Sequence, residues 1–260
     1  MNKLLFSIII SILPLASIQC NTGHAAEKTS DYTSDNMASN VVKVSLKIDK
    51  LKEKNPYSRI SVRQGIKVLY TVSNESEIVL EGPQELVNRV SASIEQNTLK
   101  LVMKPSPNNF DNITNLYAYI KGPAINYAEM SVGGCIEMKT ELNIHKNELA
   151  LRLSSGGIFT CTEALKCKDL SVSSNSGGIV KISLLKATES VNLNMSSGSI
   201  VSLSGEANFL KAGVSSGAIL NIPDLKCNDG SVNASSGAIV NYAKSNVSVS
   251  SSSGAIIRQQ

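Results

Sequence analysis

From Gly134 to Ile256 a short phrase keeps returning: one or two serines, a glycine, a small residue and an isoleucine. It reads Ser155-Gly156-Gly157-Ile158, Ser176-Gly177-Gly178-Ile179, Ser197-Gly198-Ser199-Ile200, Ser216-Gly217-Ala218-Ile219, Ser236-Gly237-Ala238-Ile239 and Ser253-Gly254-Ala255-Ile256, with a degenerate first copy at Gly134-Cys135-Ile136. Counted from Gly134, successive glycines lie 22, 21, 21, 19, 20 and 17 residues apart. Self-similarity at such a period marks a solenoid, whose units cannot bury their apolar faces alone and must stack.

Apolar residues hold a fixed phase around each glycine. They occupy the seventh, fifth and third positions before it, as in Leu149/Leu151/Leu153, Val191/Leu193/Met195 and Leu210/Ala212/Val214. Alternation with period two sends these side chains to one face of a strand and polar residues such as Arg152, Asn192, Asn194, Lys211 and Asn233 to the other. A second strand follows each glycine, with inward pairs at Phe159/Cys161, Val180/Ile182, Val201/Leu203, Leu220/Ile222 and Val240/Tyr242. The Ser-Ser-Gly phrase then sits at a bend, where glycine tolerates positive φ or the close approach of a neighbouring coil. Equivalent strands of successive coils lie side by side in parallel. The expected fold is an all-β, parallel β-helix with coils of about 20 residues, right-handed because parallel crossovers nearly always are. Leu151, Val172, Leu193, Ala212 and Val232 should point into one interior and stack in line.

The chain begins Met1-Asn2-Lys3, followed by an apolar run over residues 4–18 that Pro14 interrupts. A basic start, a run of that length and small residues after it describe a secretory signal peptide, residues 1–26, rather than a membrane anchor. Two ends compete for it: cleavage near Gly23-His24-Ala25-Ala26, or lipidation of Cys20, for which Gln19 stands where a small residue is expected. Residues 27–56 read as a flexible leader, polar and without periodicity to residue 40, and a lead-in strand in which Val42, Val44, Leu46 and Ile48 alternate with polar residues. Segments 59–62, 66–72 and 77–81 read as strands. Pro83 opens a helical turn, and 90–94 with 99–103 form a hairpin around Gln96-Asn97. The polar loop 105–111 is the best internal boundary. Residues 57–120 therefore form an N-terminal β layer and 121–257 the repeat coils.

Several of these phrases together resemble the putative auto-transporter adhesin head GIN domain family: Ile60-Ser61-Val62, Ile66-Lys67-Val68, Gly82-Pro83-Gln84-Glu85-Leu86, Asn97-Thr98-Leu99-Lys100-Leu101, Ile120-Lys121-Gly122-Pro123 and the Ser-Gly-x-Ile coils. The resemblance spans about residues 57–257. It implies an exported bacterial β-helix protein of the surface or periplasm, and it carries no set of catalytic residues onto this chain. The chain departs from its own pattern at the first coil, where Met130 and Val132 precede Gly134 at odd phase.

Net charge is +4, aromatics are 4% of residues and there is no tryptophan, so the clustered basic stripe and stacking aromatics of a nucleic-acid binder are missing. The basic set Lys43, Lys47, Lys50, Lys52, Lys54, Arg59, Arg63 and Lys67, partly offset by Asp49 and Glu53, reads as a solvated face, the alternative being a site for anionic glycans or lipid head groups. Cys135, Cys161, Cys167 and Cys227 read as free buried thiols. Cys167 and Cys227 share a phase three coils apart, too far for a disulfide, and no histidine joins the cysteines at a metal-ligand spacing. His145 reads as a surface residue. Outward positions hold mostly Ser and Asn, with isolated Arg152, Lys181 and Lys211 and no paired carboxylates of the kind a β-helical polysaccharide lyase or hydrolase would need.

The function expected is that of a non-catalytic exported interaction protein, adhesin-like, with an unidentified protein or glycan partner, no catalytic or metal residues and no cofactor. The alternative is a carbohydrate-active enzyme. The last coil keeps Val247, Val249, Ile256 and Ile257 and ends on Arg258-Gln259-Gln260. That end is expected to be covered by residues 41–48 or to self-associate through edge pairing.

Overall fold

The computed structural model describes residues 41–105, 115–243 and 246–260. The expected signal peptide, Cys20, the leader to residue 40 and most of the 105–111 loop lie outside the described residues.

Strand β1 (Val41–Ser45) and a 3-10 turn (Asp49–Lys52) lead into β2 (Arg59–Arg63), β3 (Lys67–Val72) and β4 (Glu77–Pro83). A short helix α1 (Gln84–Arg89) is followed by β5 (Val90–Glu95), β6 (Thr98–Met103), β7 (Tyr117–Gly122), β8 (Tyr127–Ser131) and β9 (Cys135–Met138). Long bent strands come next: β10 (Leu142–Leu153), β11 (Ile158–Ser174), β12 (Ile179–Met195) and β13 (Ile200–Val214). The series closes with β14 (Ile219–Ile222), β15 (Leu225–Ala234), β16 (Ile239–Tyr242), β17 (Val247–Ser251) and β18 (Ile256–Gln259).

The pairings resolve into three faces of a parallel β-solenoid. The first, before each turn, runs β6, β2, β8 and then the C-terminal parts of β10 to β13, β15 and β17. The second, after each turn, runs β7, β3, β9, the N-terminal parts of β11 to β13, β14, β16 and β18. A third joins residues 142–144, 165–167, 185–187, 205–207 and 225–227. Among the described residues the first two coils and the last have no strand on this third face, in keeping with the final spacing of 17 residues. Leu151, Val172, Leu193, Ala212 and Val232 stack in register with at most 4% exposure, as the alternation requires.

Two expectations are corrected. The N-terminal layer already contains the first coil, since β2 and β3 flank a turn at Gln64-Gly65 and pair with β8 and β9. The segment between β3 and β8 is an insertion into the coil series rather than part of a layer that precedes it. The turn glycine of the next coil is Gly133, not Gly134. Val132 and Gly133 hold φ of 51° and 74°, and Met130 aligns with Leu153. Counted from Gly133 the coil is in phase, so the apparent slip comes from choosing the second of two consecutive glycines.

Residues 41–48 do not cover the C-terminal end. β1 pairs antiparallel with β4, which pairs with β7, at the opposite end of the stack. The hairpin at Gln96-Asn97 and the helical turn after Pro83 form as expected. Helix α1 joins the two sheets there and places Leu86 and Val87 in the core.

Candidate interaction surfaces

Among the described residues, eight turns that join the first two faces each have two consecutive residues of positive φ, the geometry of a type I′ turn. They stack from Gln64-Gly65 and Val132-Gly133 through six Ser-Gly pairs to Ser253-Gly254. In the six Ser-Gly turns the second residue is glycine with φ of 70–76°, and each serine takes φ of 47–52°. The backbone is tied from coil to coil: the N–H of Gly133, Gly156, Gly177, Gly198, Gly217 and Gly237 donates to the carbonyl of the serine one coil on, at 3.0–3.2 Å. This corner therefore presents a row of serine hydroxyls over a continuous hydrogen-bond ladder.

Beside it runs an outward apolar row. Ile158, Ile179, Ile200, Ile219, Ile239 and Ile256 align residue against residue on the second face. The first five are half-buried and Ile256 is 46% exposed. Two residues further on lies a polar row in which Asn241 Nδ2 donates to Asn221 Oδ1 at 2.6 Å and Asn221 Nδ2 to Ser202 Oγ at 3.3 Å. On the first face Ser250 Oγ donates to Asn233 Oδ1 at 2.6 Å. These are side-chain ladders that only stacked coils can make, and they give the outward faces a regular texture of amides and hydroxyls.

The charged residues singled out in the sequence do not converge. Arg152 aligns with Glu129 and Ser173 on the first face, Lys181 with Thr160 and Ser202 on the second, and Lys211 with Asn192 and Ser231 on the first. The basic N-terminal set is spread over both faces and largely paired. Lys43 meets Glu81 at 3.2 Å, Arg63 meets Glu129 at 3.3 Å and Lys67 lies 4.0 Å from Glu137. Arg59 stacks on Tyr127, 4.0 Å from the ring centre. Such a face is solvated rather than a single anion patch.

One feature went unseen in the sequence. Glu148 aligns directly with Asp169 of the next coil, so two carboxylate-bearing residues stand side by side on the first face. The expectation of no paired carboxylates is corrected to that extent. Asp169 accepts from Ser190 Oγ at 2.6 Å, while Glu148 is exposed.

Cys135, Cys161, Cys167 and Cys227 form no disulfide. Cys167 and Cys227 lie on one row, separated by Ala187 and Ala207. Burial pushes the Cys161 and Cys167 thiols up to about 12 and Cys227 to about 11, so all three stay protonated at neutral pH and behave as small core residues. Among the described residues no cluster of three or more His, Cys, Asp or Glu could hold a metal. The side chain of His145 lies outside the described residues. No helix among the described residues is long and apolar enough to cross a membrane.

Comparison with known proteins gives a consistent picture. No curated protein matches the chain. Among solved structures, a "putative adhesin" from Parabacteroides merdae superposes with a TM-score of 0.69 at 12% identity, over 85% of this chain and 96% of its own. A "putative adhesin" from Parabacteroides distasonis gives 0.68 at 13% identity, over 86% and 95%. A "putative lipid binding protein" from the same species gives 0.67 at 13% identity, over 86% and 98%. At these identities the likeness is one of fold. The model of one sequence family, described as "Putative auto-transporter adhesin, head GIN domain", matches residues 56–183 and again 146–259. With its two matches running without a gap from the first coil to the last, the chain belongs to that family.

Proposed function

We propose that this chain is a non-catalytic, exported interaction protein, acting outside the cytoplasm as an adhesin-like surface or periplasmic component. The observation that carries this reading is the regular outer texture of the coils, in which register-aligned rows of Ser, Asn and Ile offer long, repetitive contact faces. Repeat solenoids present extended surfaces of this kind for partners. The adhesin family supports it, as does the basic-then-apolar N-terminus that reads as an export signal, with lipidation at Cys20 as the alternative to release. The partner is a protein or glycan of the cell surface, and self-association through the terminal coil is a further contact open to it.

A second reading, a β-helical carbohydrate-active enzyme, is favoured by one observation, the Glu148 and Asp169 pair. One experiment separates the two. The purified chain is tested for retention on immobilised bacterial and host surfaces and, in parallel, for release of products from polysaccharides. Retention without product release is expected. Turnover that disappears in Glu148→Gln or Asp169→Asn would overturn the non-catalytic reading.

A further inference from the structure

The third face of the solenoid begins abruptly. Residues 142–144 pair with 165–167 on one side, and among the described residues no strand takes the other side. Beside that edge opens a cleft of about 490 Å³, bounded by β10 on one wall and by the approaches to β2 and β8 on the other. Its volume falls within the roughly 300–1,000 Å³ typical of small-molecule sites.

Five asparagines line it: Asn55, Asn97, Asn126, Asn143 and Asn147. Among the described residues no carboxylate does, and Lys146 is the one charged residue of the lining. A carboxamide both donates and accepts, as a sugar hydroxyl does, so a ring of amides matches a polyhydroxylated ligand better than it matches an ion. The fold fixes the backbone that carries two of these amides. Asn126 sits in the coil ladder, its backbone N–H donating to the Ser58 carbonyl at 2.9 Å and its backbone carbonyl accepting from the Ala150 N–H at 3.0 Å. Asn97 occupies the β5–β6 turn with φ of 61°, and its Nδ2 donates to Ser58 Oγ at 2.7 Å. Pro123, Ala124 and Ile144 add an apolar strip suited to the C–H face of a pyranose. Pro123 is anchored by the buried Tyr70 hydroxyl, which donates to its carbonyl at 2.7 Å.

From this geometry we infer that the cleft beside the 142–144 edge is a binding site for an uncharged saccharide, recognised through the Asn126 and Asn147 carboxamides. The inference rests on the interaction reading above and names the chemistry of its ligand.

The test uses the full chain and four probes: chitotetraose and maltotetraose as neutral oligosaccharides, oligogalacturonate as an acidic one, and a surface of intact cells. Binding of a neutral probe is expected, weakened about tenfold or more by Asn126→Ala with Asn147→Ala, and unchanged by Lys211→Ala, an exposed first-face residue outside the cleft. Should the double variant melt early, Asn147→Leu alone, at the exposed rim, is expected to block the cleft. Saturation-transfer spectra of the bound sugar then supply the readout. Binding indifferent to both cleft variants overturns the inference, and so does binding of oligogalacturonate alone. Failure of every saccharide overturns it too: retention on cells would then leave the interaction reading standing, and loss of retention would remove both. Shortened oligosaccharides in the mixture would instead defeat the non-catalytic reading.

Discussion

The coil stack is finished differently at its two ends. At the N-terminal end both sheets continue past the first coil, one through β7, β4 and β1 and the other through β6 and β5. Helix α1 links them and lays Leu86 and Val87 against the core at 9% and 5% exposure. At the other end β17 and β18 each have a partner on one side only among the described residues, and Ile257 is half-buried. Antiparallel strands, which tolerate a solvated face, were added where the parallel ladder would otherwise start bare. A solenoid core is as secure as its nearest closed end, so stability should grade along the stack rather than be uniform.

The largest expected effect follows from that grading. Replacing Leu86 and Val87 together by alanine should cost about 4 kcal/mol, at about 2 kcal/mol for each truncated core side chain. Ile257→Ala at the opposite end should cost about 1 kcal/mol or less, because its methyls are already partly wet. Urea unfolding gives both numbers, and hydrogen exchange gives their location. Amides of β2 and β3 should lose protection in the cap variant, whereas those of β17 and β18 should exchange early in every form. Equal losses at the two ends would break the comparison.

Beyond the first turn, where Ile66 follows Gly65, the residue after the turn glycine draws a similar contrast on a smaller scale. It is Gly134, Gly157 and Gly178 in the next three coils, then Ser199, Ala218, Ala238 and Ala255. A Cβ on Gly157 would run into the Met130 carbonyl, and one on Gly134 into that of Val62. These atoms are backbone and cannot turn aside, so Gly157→Ala should cost about 2–3 kcal/mol. The reverse change, Ala238→Gly, should cost about 1 kcal/mol through chain entropy and a lost methyl contact. Chemical denaturation of the two variants decides whether the coils really tighten toward the cap.

Tyr70 belongs to the closed end as well. Tyr70→Phe should cost about 1–2 kcal/mol at neutral pH by leaving the Pro123 carbonyl without its donor. Burial pushes the Tyr57 hydroxyl up to about 12 and raises Tyr70 well above its ordinary 10, just as it raises Cys161 and Cys167 from 9 to about 12. The unfolded chain therefore releases these protons first. With more protons bound in the folded state, stability falls as pH rises from about 9 toward 12, while below 9 the groups add no pH dependence. Melting temperature followed over that window should drop, and Cys161→Ala with Cys167→Ala should flatten its lower part. A flat profile in the parent would show these groups to be wetter than their packing implies.

Much of this was legible in the residues. Alternation before each glycine and the recurrence of one phrase dictate strands, a bend and parallel stacking, and the inward rows follow without further information. What escaped has a physical reason in each case. Gln64-Gly65 carries no serine, and the insertion before the next coil separates Gly65 from Gly133 far beyond one period, so the first turn does not look like a repeat. The neighbourhood of Glu148 and Asp169 depends on a register shift between Ile144 and Glu148, which no spacing rule supplies. The asparagine cleft depends on which coil first acquires a third face, a property of the connections between strands. Inward positions are fixed by hydrophobicity, whereas the outward sites depend on register and are visible only once the coils are laid side by side.

The smallest expected effect concerns the first residue of the stacked turns. All eight hold positive φ, but Val132 does so as a β-branched residue, with φ of 51° and 58% of its surface exposed. Valine pays heavily in the left-handed region, since its branched Cβ crowds the adjacent carbonyl, and it has no packing here to offset that cost. Asparagine is the preferred partner of glycine in a type I′ turn. Val132→Asn should therefore stabilise the chain by about 1 kcal/mol. Serine is less strained in the same conformation, so Ser236→Asn near the open end should gain only a few tenths of a kcal/mol. Thermal melts of the two single variants measure the difference. A larger gain at Ser236 than at Val132 would put the greater turn strain at the open end, and any tightening toward the cap would then reside in the strands alone.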